Sequence, residues 1–180
     1  VGTATDDASY PLHSNATFDP DHEGRGGLTS GEILEGLGSW LDNTGAPDIV
    51  LFSSPGGNDA LQNLDYAMIL ANINAIIDTL QAVNPNVQIL IEQMAPAHYS
   101  EMGPELTTYM TNLQSDVVGL AASQSTATSS IIPVDMYTNF TDSMLADEVH
   151  YNEAGASFVA AQYYNVLVNI MEEYAKNTTL

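Results

Sequence analysis

Residues 48–60 read DIVLFSSPGGNDA, an apolar run that ends in two glycines, an amide and a carboxylate. A short apolar run bounded by such turn residues is typical of a buried β-strand. In open α/β sheets, binding sites form beyond the carboxyl ends of the strands, which is where this turn falls. There the backbone at Gly57 can approach a ligand closely, and the Asn58 side-chain NH2 group can donate a hydrogen bond to a developing negative oxygen. The same composition is also common in plain turns, so a ligand-binding role for this turn depends on other motifs.

The rest of the chain alternates helical and strand patterns. Thr29 and Glu32 form a capping box that predicts a helix up to about Asn43. Further strands are predicted at residues 87–91 and 130–135, and further helices at 60–83, 105–123 and from 152 onward. Strands separated by helices of a dozen or more residues indicate parallel β-α units. The predicted fold is one α/β domain over residues 1–180, with a parallel sheet between helical layers and an irregular loop over the first thirty residues.

The chain is strongly acidic, with 23 Asp and Glu residues against only Arg25 and Lys176, which gives a formal net charge of −21. Such a surface repels phosphate, so nucleic acids and anionic membranes are excluded as partners. The absence of cysteine excludes a cysteine nucleophile. No apolar run reaches about 18 residues, which predicts a soluble protein. N-glycosylation patterns at Asn15, Asn139 and Asn177 are compatible with a secreted or extracellular location, which is our expectation.

Asp147 and His150 form a second polar motif, in the loop before the last predicted helix. A carboxylate three residues before a histidine can accept a hydrogen bond from imidazole Nδ1–H, which leaves Nε2 as a general base. The same pattern also arises by chance. If the strand assignments hold, this loop lies at the same end of the sheet as Asn58.

A glycine-rich loop at residues 22–29 runs into the first helix and is the third motif. Free backbone N–H groups at a helix N-terminus favour an anion, and the plain alternative is a flexible entry into the helix. Arg25 lies in this loop. A contact with substrate and a salt bridge with Asp21 or Glu23 are equally compatible with its position.

Four ordered segments carry these motifs: DHEGRGGLT at 21–29, PDIVLFSSPGGND at 47–59, VDM at 134–136 and DEVHYNEAG at 147–155. Together they resemble the SGNH (GDSL-type) serine hydrolases, and within them the acetyl xylan esterases of carbohydrate esterase family three. The resemblance covers nearly the whole chain and implies the family's flavodoxin-like three-layer α/β/α sheet.

The resemblance also implies roles for four residues of this chain. His150 would be the general base and Asp147 would orient it. The backbone N–H of Gly27 and the side-chain NH2 group of Asn58 would bind the oxyanion.

One part of the family pattern is absent, because no Gly-Asp-Ser tripeptide occurs in the chain. The resemblance places the nucleophile in such a turn, within a first β-α-β segment that this chain is expected to lack, so that residues 1–3 would be the tail of the second strand. The candidates within the chain are Ser54 and Ser53, beside the expected oxyanion donor, and Ser30, near Gly27. Each of them also fits a plain structural serine.

A missing first strand has a structural consequence as well. That strand is central in the flavodoxin-like order, so the sheet would expose an unpaired edge. The expected partner of this edge is a second copy of the chain, in a homodimer, or an N-terminal fragment of the same protein.

The sequence therefore predicts a serine-type carboxylic ester hydrolase that acts on short acyl groups such as acetate, carried by a carbohydrate or a small aryl alcohol. The alternative is a catalytically inactive SGNH-like module that binds an acylated glycan or another protein. That alternative follows from the missing nucleophile motif. His13, His22 and His98 show no metal-ligand spacing, and neither a metal nor a cofactor is predicted.

Overall fold

A computed structural model describes residues 2, 4–5, 17–98, 100 and 103–177. The strands are β1 (Ala4–Thr5), β2 (Asp21–His22), β3 (Ile49–Phe52), β4 (Gln88–Gln93) and β5 (Ile131–Asp135). The helices are α1 (Ser30–Thr44), α2 (Gly57–Leu61), α3 (Tyr66–Val83), α4 (Pro104–Gln124) and α5 (Glu153–Asn177). A short 3₁₀ helix covers Asp142–Met144.

The main sheet has the order β3-β4-β5, and both neighbouring pairs are parallel. Leu51 of β3 lies opposite Leu90 of β4, and Ile89 of β4 lies opposite Ile131 of β5. Parallel neighbours need a long crossover, which the intervening helices provide. The predicted parallel α/β sheet is confirmed.

The two faces of β4 pack against different helices, because successive side chains of a strand point to opposite sides. Ile89 and Ile91 belong to a core cluster with residues of α1, α3 and α4. Leu90 belongs to a second cluster with residues of α5. All three side chains are fully buried, and burial of each stabilises the fold by roughly 1.5–3 kcal/mol. The helices therefore cover both faces of the sheet, and the three-layer prediction is confirmed.

The helix predicted over residues 60–83 is wrong in one respect, since α2 ends at Leu61 and α3 begins only at Tyr66. Asn63 has a φ of 53°, a left-handed conformation that breaks a helix. The Asp65 carboxylate then caps α3 by accepting a hydrogen bond from the Met68 N–H. The helical spacing of apolar residues continues across this break, so the sequence pattern did not show where these two polar residues end one helix and start the next.

The first thirty residues contain more regular structure than predicted. Ala4 and Thr5 pair antiparallel with His22 and Asp21 in a two-stranded sheet that is separate from the main one. The prediction that residues 1–3 are the tail of a strand falls largely outside the described residues.

The outer edge of β3 carries no partner strand among the described residues. Leu51 on this strand is 48% exposed, whereas Leu90 on the central strand is fully buried. Such an edge offers unpaired backbone groups to another strand.

One helix, α3, is long and apolar enough to span a membrane by length and composition alone, with a mean hydropathy of 1.3. Its isoleucines at positions 69, 73, 76 and 77 belong to the core cluster that covers the sheet. Core helices of globular domains commonly have this composition.

Candidate active site

Three loops meet at the carboxyl end of the sheet, around a cavity of about 70 Å³. The lining comes from the turn after β3, the loop after β4, helix α4 and the loop before α5, and includes Ser54, Gly57, Met94, Leu106, Val149 and Tyr151. Gly57 directly precedes Asn58, and Val149 directly precedes His150. The turn with Asn58 and the loop with His150 therefore border the same cavity.

The Asp147 carboxylate lies against the imidazole of His150, with Oδ2 at 2.9 Å from Nδ1. Oδ1 also accepts from the backbone N–H groups of Val149, at 3.0 Å, and of His150, at 2.8 Å. The Val149 N–H, followed by these other donors, lowers the pKa of Asp147 to about 2. The carboxylate is thus ionised at neutral pH and can hold a proton on Nδ1, which leaves Nε2 as the basic nitrogen.

The His150 side chain is 79% exposed, so its ring is accessible from solvent. This loop is fixed by a neighbour, since the His98 N–H donates to the Glu148 carbonyl at 2.8 Å. The loop after β4 and the loop that carries His150 are therefore joined by a backbone hydrogen bond.

Asn58 lies in the first turn of α2 and is partly buried. Its side-chain Nδ2 donates a 2.9 Å hydrogen bond to the Leu28 carbonyl. Among the described residues, nothing accepts from its second N–H. The bond to Leu28 fixes the amide plane, and the remaining hydrogen can bind an oxygen of a ligand.

Gly56 explains why the turn before Asn58 needs glycine. Its φ is +76°, in the left-handed region that side chains disfavour. A Cβ there would also lie 2.8 Å from Ile69 Cγ2 and 2.9 Å from the Tyr109 hydroxyl oxygen. The Tyr109 hydroxyl donates to the Gly56 carbonyl at 2.9 Å, which holds the turn against α4.

Gly27 is exposed and has a φ of +82°, and it directly precedes Leu28, the residue bonded to Asn58. The capping box that follows is confirmed: the Thr29 hydroxyl accepts from the Glu32 N–H, and Glu32 Oε2 accepts from the Thr29 N–H at 2.8 Å. Gly27 and Asn58 are therefore linked through one residue, and α1 begins immediately beyond them.

Arg25 contacts both the glycine-rich loop and α1. Its guanidinium forms a 2.7 Å salt bridge with Glu23 and lies 4.9 Å from the centre of the Trp40 ring. Of the options that the sequence left open, the structure contains the salt bridge with Glu23. A cation over an aromatic face adds about 0.5–1 kcal/mol at an exposed site. Both contacts fix the loop two residues before Gly27.

Ser30 is buried and its hydroxyl is engaged, which disfavours it as a nucleophile. It is 2% exposed, and its hydroxyl donates a 2.6 Å hydrogen bond to Asp59 Oδ1. Asp59 Oδ2 accepts from the Ser30 backbone N–H at 2.8 Å, and Asn72 Nδ2 donates to the Ser30 hydroxyl at 3.1 Å. The sequence analysis did not identify this buried network. The acidic residue directly after Asn58 was the available signal for it.

The two serines after β3 remain in reach of the cavity or the solvent. Ser54 lines the cavity, has a strained φ of 47°, and places its hydroxyl 3.4 Å from the sulfur of Met94. Ser53 is exposed, and its side chain lies close enough to Glu92 to lower the pKa of that carboxyl group. Among the described residues, no group of three or more His, Cys, Asp or Glu side chains is arranged to hold a metal ion.

A family model described as the GDSL-like lipase/acylhydrolase family matches residues 6–157, most of the chain. The chain belongs to the GDSL-like lipase/acylhydrolase family. The predicted relationship to GDSL-type hydrolases is thereby confirmed. No curated protein matches the sequence.

Solved structures similar to this acylhydrolase include three esterases. A carbohydrate esterase family 3 protein from Talaromyces cellulolyticus has 28% identity and a TM-score of 0.82, with 96% of this chain and 82% of that chain covered. An acetyl esterase mutant with an acetate ion has 28% identity and a TM-score of 0.83, with 97% and 82% covered. A family 3 carbohydrate esterase of Clostridium thermocellum has 26% identity and a TM-score of 0.70, with 87% and 73% covered. The family match and the similar esterase structures together show that this acylhydrolase is an esterase.

Proposed function

We propose that this acylhydrolase cleaves esters of short acyl groups, foremost acetate, carried by a carbohydrate or a small aryl alcohol. The observation that carries the proposal is the cavity of about 70 Å³ between the Asn58 turn and the His150 loop. A cavity needs about 10–15 Å³ of such volume to hold one water molecule, so this one has room for an acyl group of two or three heavy atoms. Similarity to an acetyl esterase with an acetate ion and to family 3 carbohydrate esterases supports the same substrate class.

In the proposed reaction, a serine hydroxyl oxygen attacks the ester carbonyl while Nε2 of His150 takes the hydroxyl proton. Asp147 holds the imidazole and stabilises its charged form. The carbonyl oxygen becomes negative and accepts hydrogen bonds from the second N–H of Asn58 and the backbone N–H of Gly27. The imidazolium then gives its proton to the leaving alcohol, and water releases the acid by the same steps.

The nucleophile within the described residues is proposed to be Ser54. Its support is its place in the cavity lining and its left-handed backbone, since strained residues cluster at functional sites. The competing source is a serine on a strand that pairs with the outer edge of β3. That source is supported by the lack of a Gly-Asp-Ser tripeptide in the sequence.

The proposal includes a strand partner for β3, and we take it to be a further segment of the same protein. The match covers 82% of the Talaromyces esterase, so 18% of that chain lies outside it. The exposed Leu51 on the edge is suited to pack against such a segment. Native mass spectrometry tests this, since a mass of twice 19.2 kDa would instead indicate two copies paired through the edge.

We also propose that the enzyme acts outside the cell. Asn139, in an Asn-Phe-Thr pattern, is exposed in a turn and available for glycosylation. Asn15 lies outside the described residues. Treatment of the native protein with an amidase that removes N-glycans would lower its mass if Asn139 is modified, and an unchanged mass would remove this support.

The decisive experiment combines p-nitrophenyl acetate hydrolysis with a serine-directed phosphonate and peptide mapping. Turnover with an adduct on Ser54 supports the proposal as stated. Turnover with an adduct on a serine outside these 180 residues assigns the nucleophile to the segment on the β3 edge. If neither turnover nor an adduct is found, the inactive binding module replaces the esterase proposal.

A further inference from the structure

Glu92 is a buried carboxyl group at the carboxyl end of β4 that the proposed reaction does not use. Its side chain is fully buried. Oε2 accepts a 2.8 Å hydrogen bond from the Ser54 backbone N–H, and Oε1 accepts a 2.9 Å hydrogen bond from the Tyr163 hydroxyl. Ser54 follows β3, and Tyr163 lies on α5. One carboxyl group thus joins the central strand to the Asn58 turn and to the helix that follows His150.

No cation balances this carboxyl group among the described residues. The chain has two basic side chains apart from histidine, and these contact other acids: Arg25 pairs with Glu23, and Lys176 lies 3.8 Å from Glu172. An unbalanced carboxylate is costly to bury. It is retained only where its hydrogen bonds serve the structure.

The protonation of Glu92 responds to this environment. Burial raises its pKa above the ordinary 4.5, and the Ser54 N–H, the Tyr163 hydroxyl and the Ser53 side chain offset part of that rise. The titratable groups that face it are Tyr163 and Tyr151. Burial and the charge of Glu92 raise the pKa of both phenols, so both stay neutral.

The Ser54 peptide group is held from two sides. Its N–H donates to Glu92, and its carbonyl accepts from the Gly57 N–H at 3.2 Å. Its φ of 47° is unfavourable for serine and persists only where surrounding contacts enforce it. Release of the Glu92 end would therefore let the turn relax, and Asn58 lies four residues further along that turn.

We propose that Glu92 is a positioning residue that fixes the Ser53–Asn58 turn relative to α5, and through α5 the loop with His150. The inference rests on the proposed esterase reaction, to which Glu92 contributes by geometry without touching the substrate. Displacement of a catalytic donor by about 1 Å can cost about a hundredfold in rate.

Two substitutions at this position separate geometry from charge. In Glu92→Gln, the side-chain oxygen can still accept from the Ser54 N–H, and the amide NH2 can donate to the Tyr163 oxygen once that hydroxyl rotates. In Glu92→Leu, both hydrogen bonds are lost at similar volume. Tyr163→Phe removes only the α5 end of the link, and Glu35→Gln on the exposed face of α1 is the matched control.

The kinetic test measures kcat and KM for p-nitrophenyl acetate. We expect Glu92→Leu to lower kcat about tenfold to a hundredfold with KM within about threefold, and Tyr163→Phe to lower kcat severalfold. Glu92→Gln and Glu35→Gln should keep kcat within about threefold. A Glu92→Leu enzyme with wild-type kcat, or a Glu92→Gln enzyme as impaired as Glu92→Leu, would overturn the inference.

Two further readouts do not depend on activity, so failure of the esterase proposal leaves this inference testable. Hydrogen exchange of the Ser54 amide should be slow in wild type and Glu92→Gln and faster in Tyr163→Phe and Glu92→Leu. Because the folded pKa of Glu92 is raised, the native state binds more protons above pH 4.5, and wild-type stability falls as the pH rises through that folded pKa. The Tm of Glu92→Gln should therefore exceed that of wild type increasingly over this range. Unchanged exchange in all variants would contradict the proposed link.

Discussion

The Asn58 amide nitrogen lies 2.9 Å from the Leu28 carbonyl oxygen and donates a hydrogen bond to it. This bond joins the turn after β3 to the glycine-rich loop before α1, two segments that are 30 residues apart in the chain. It uses one of the two amide hydrogens and sets the direction of the other. A fixed donor costs no reorganisation when charge develops on a substrate, which is the condition for strong transition-state stabilisation.

Asn58→Ala is expected to lower kcat for p-nitrophenyl acetate about a hundredfold or more, because one donor to the developing oxyanion is lost. Asn58→Asp should be equally impaired, since a carboxylate of the same size accepts but does not donate. Steady-state kinetics check both variants. Asn43→Ala, which removes a Ser39 contact on the exposed part of α1, serves as the control. Wild-type activity in the Asn58 variants, with a loss only in the control, would count against the role of Asn58.

Asp59 is expected to matter for stability, because it satisfies the buried N–H and hydroxyl groups of Ser30. Asp59→Ala should lower the free energy of unfolding by about 2–4 kcal/mol, and Asp59→Asn by less, since the amide keeps one acceptor. Urea denaturation measures both. Ser30→Ala should keep ester hydrolysis within a few-fold of wild type, and a complete loss would restore Ser30 as a nucleophile candidate.

Asp147 carries a pH dependence of stability that its substitution should remove. Its folded pKa of about 2 lies below the ordinary 3.8, so it contributes stability that is complete above about pH 4 and is lost as the pH falls towards 2. Thermal unfolding between pH 5 and pH 2 should show a shallower decline in Asp147→Asn than in wild type. Asp42→Asn on α1 is the control. Parallel curves for wild type and Asp147→Asn would contradict the prediction.

The cavity predicts acyl-length specificity. Leu106 lies in its lining and is partly buried, so Leu106→Ala should enlarge it. We expect the ratio of kcat/KM for p-nitrophenyl butyrate over acetate to rise about tenfold, in line with the one to three kcal/mol that a methylene group is worth in a pocket. Val118→Ala, on the exposed side of α4, should leave the ratio unchanged. A variant with the wild-type ratio would place the acyl group elsewhere.

Local patterns predicted the parts of the fold and the site that depend on near neighbours. Buried parallel strands are continuous apolar runs, and the capping box of Thr29 and the carboxylate three residues before His150 lie within one turn of chain. The break between α2 and α3 was missed because Asn63 and Asp65 end and restart a helix within an otherwise helical apolar spacing.

Contacts between distant residues could not be predicted in the same way. Asp59 bonds Ser30 over 29 residues, and Glu92 bonds Tyr163 over 71 residues. Neither separation corresponds to the period of a helix or a strand. An acidic residue at the end of a strand is also ordinarily exposed. Only the parallel register and the packing of α5 bring the second pair together.

Ester hydrolysis by His150→Ala tests the account most directly, because the general base is its central element. We predict that kcat for p-nitrophenyl acetate falls about a hundredfold or more while the free energy of unfolding stays within about 0.5 kcal/mol of wild type. His98→Ala, in the neighbouring loop, is the matched control and should retain activity. Undiminished hydrolysis by a folded His150→Ala enzyme would contradict the proposed site.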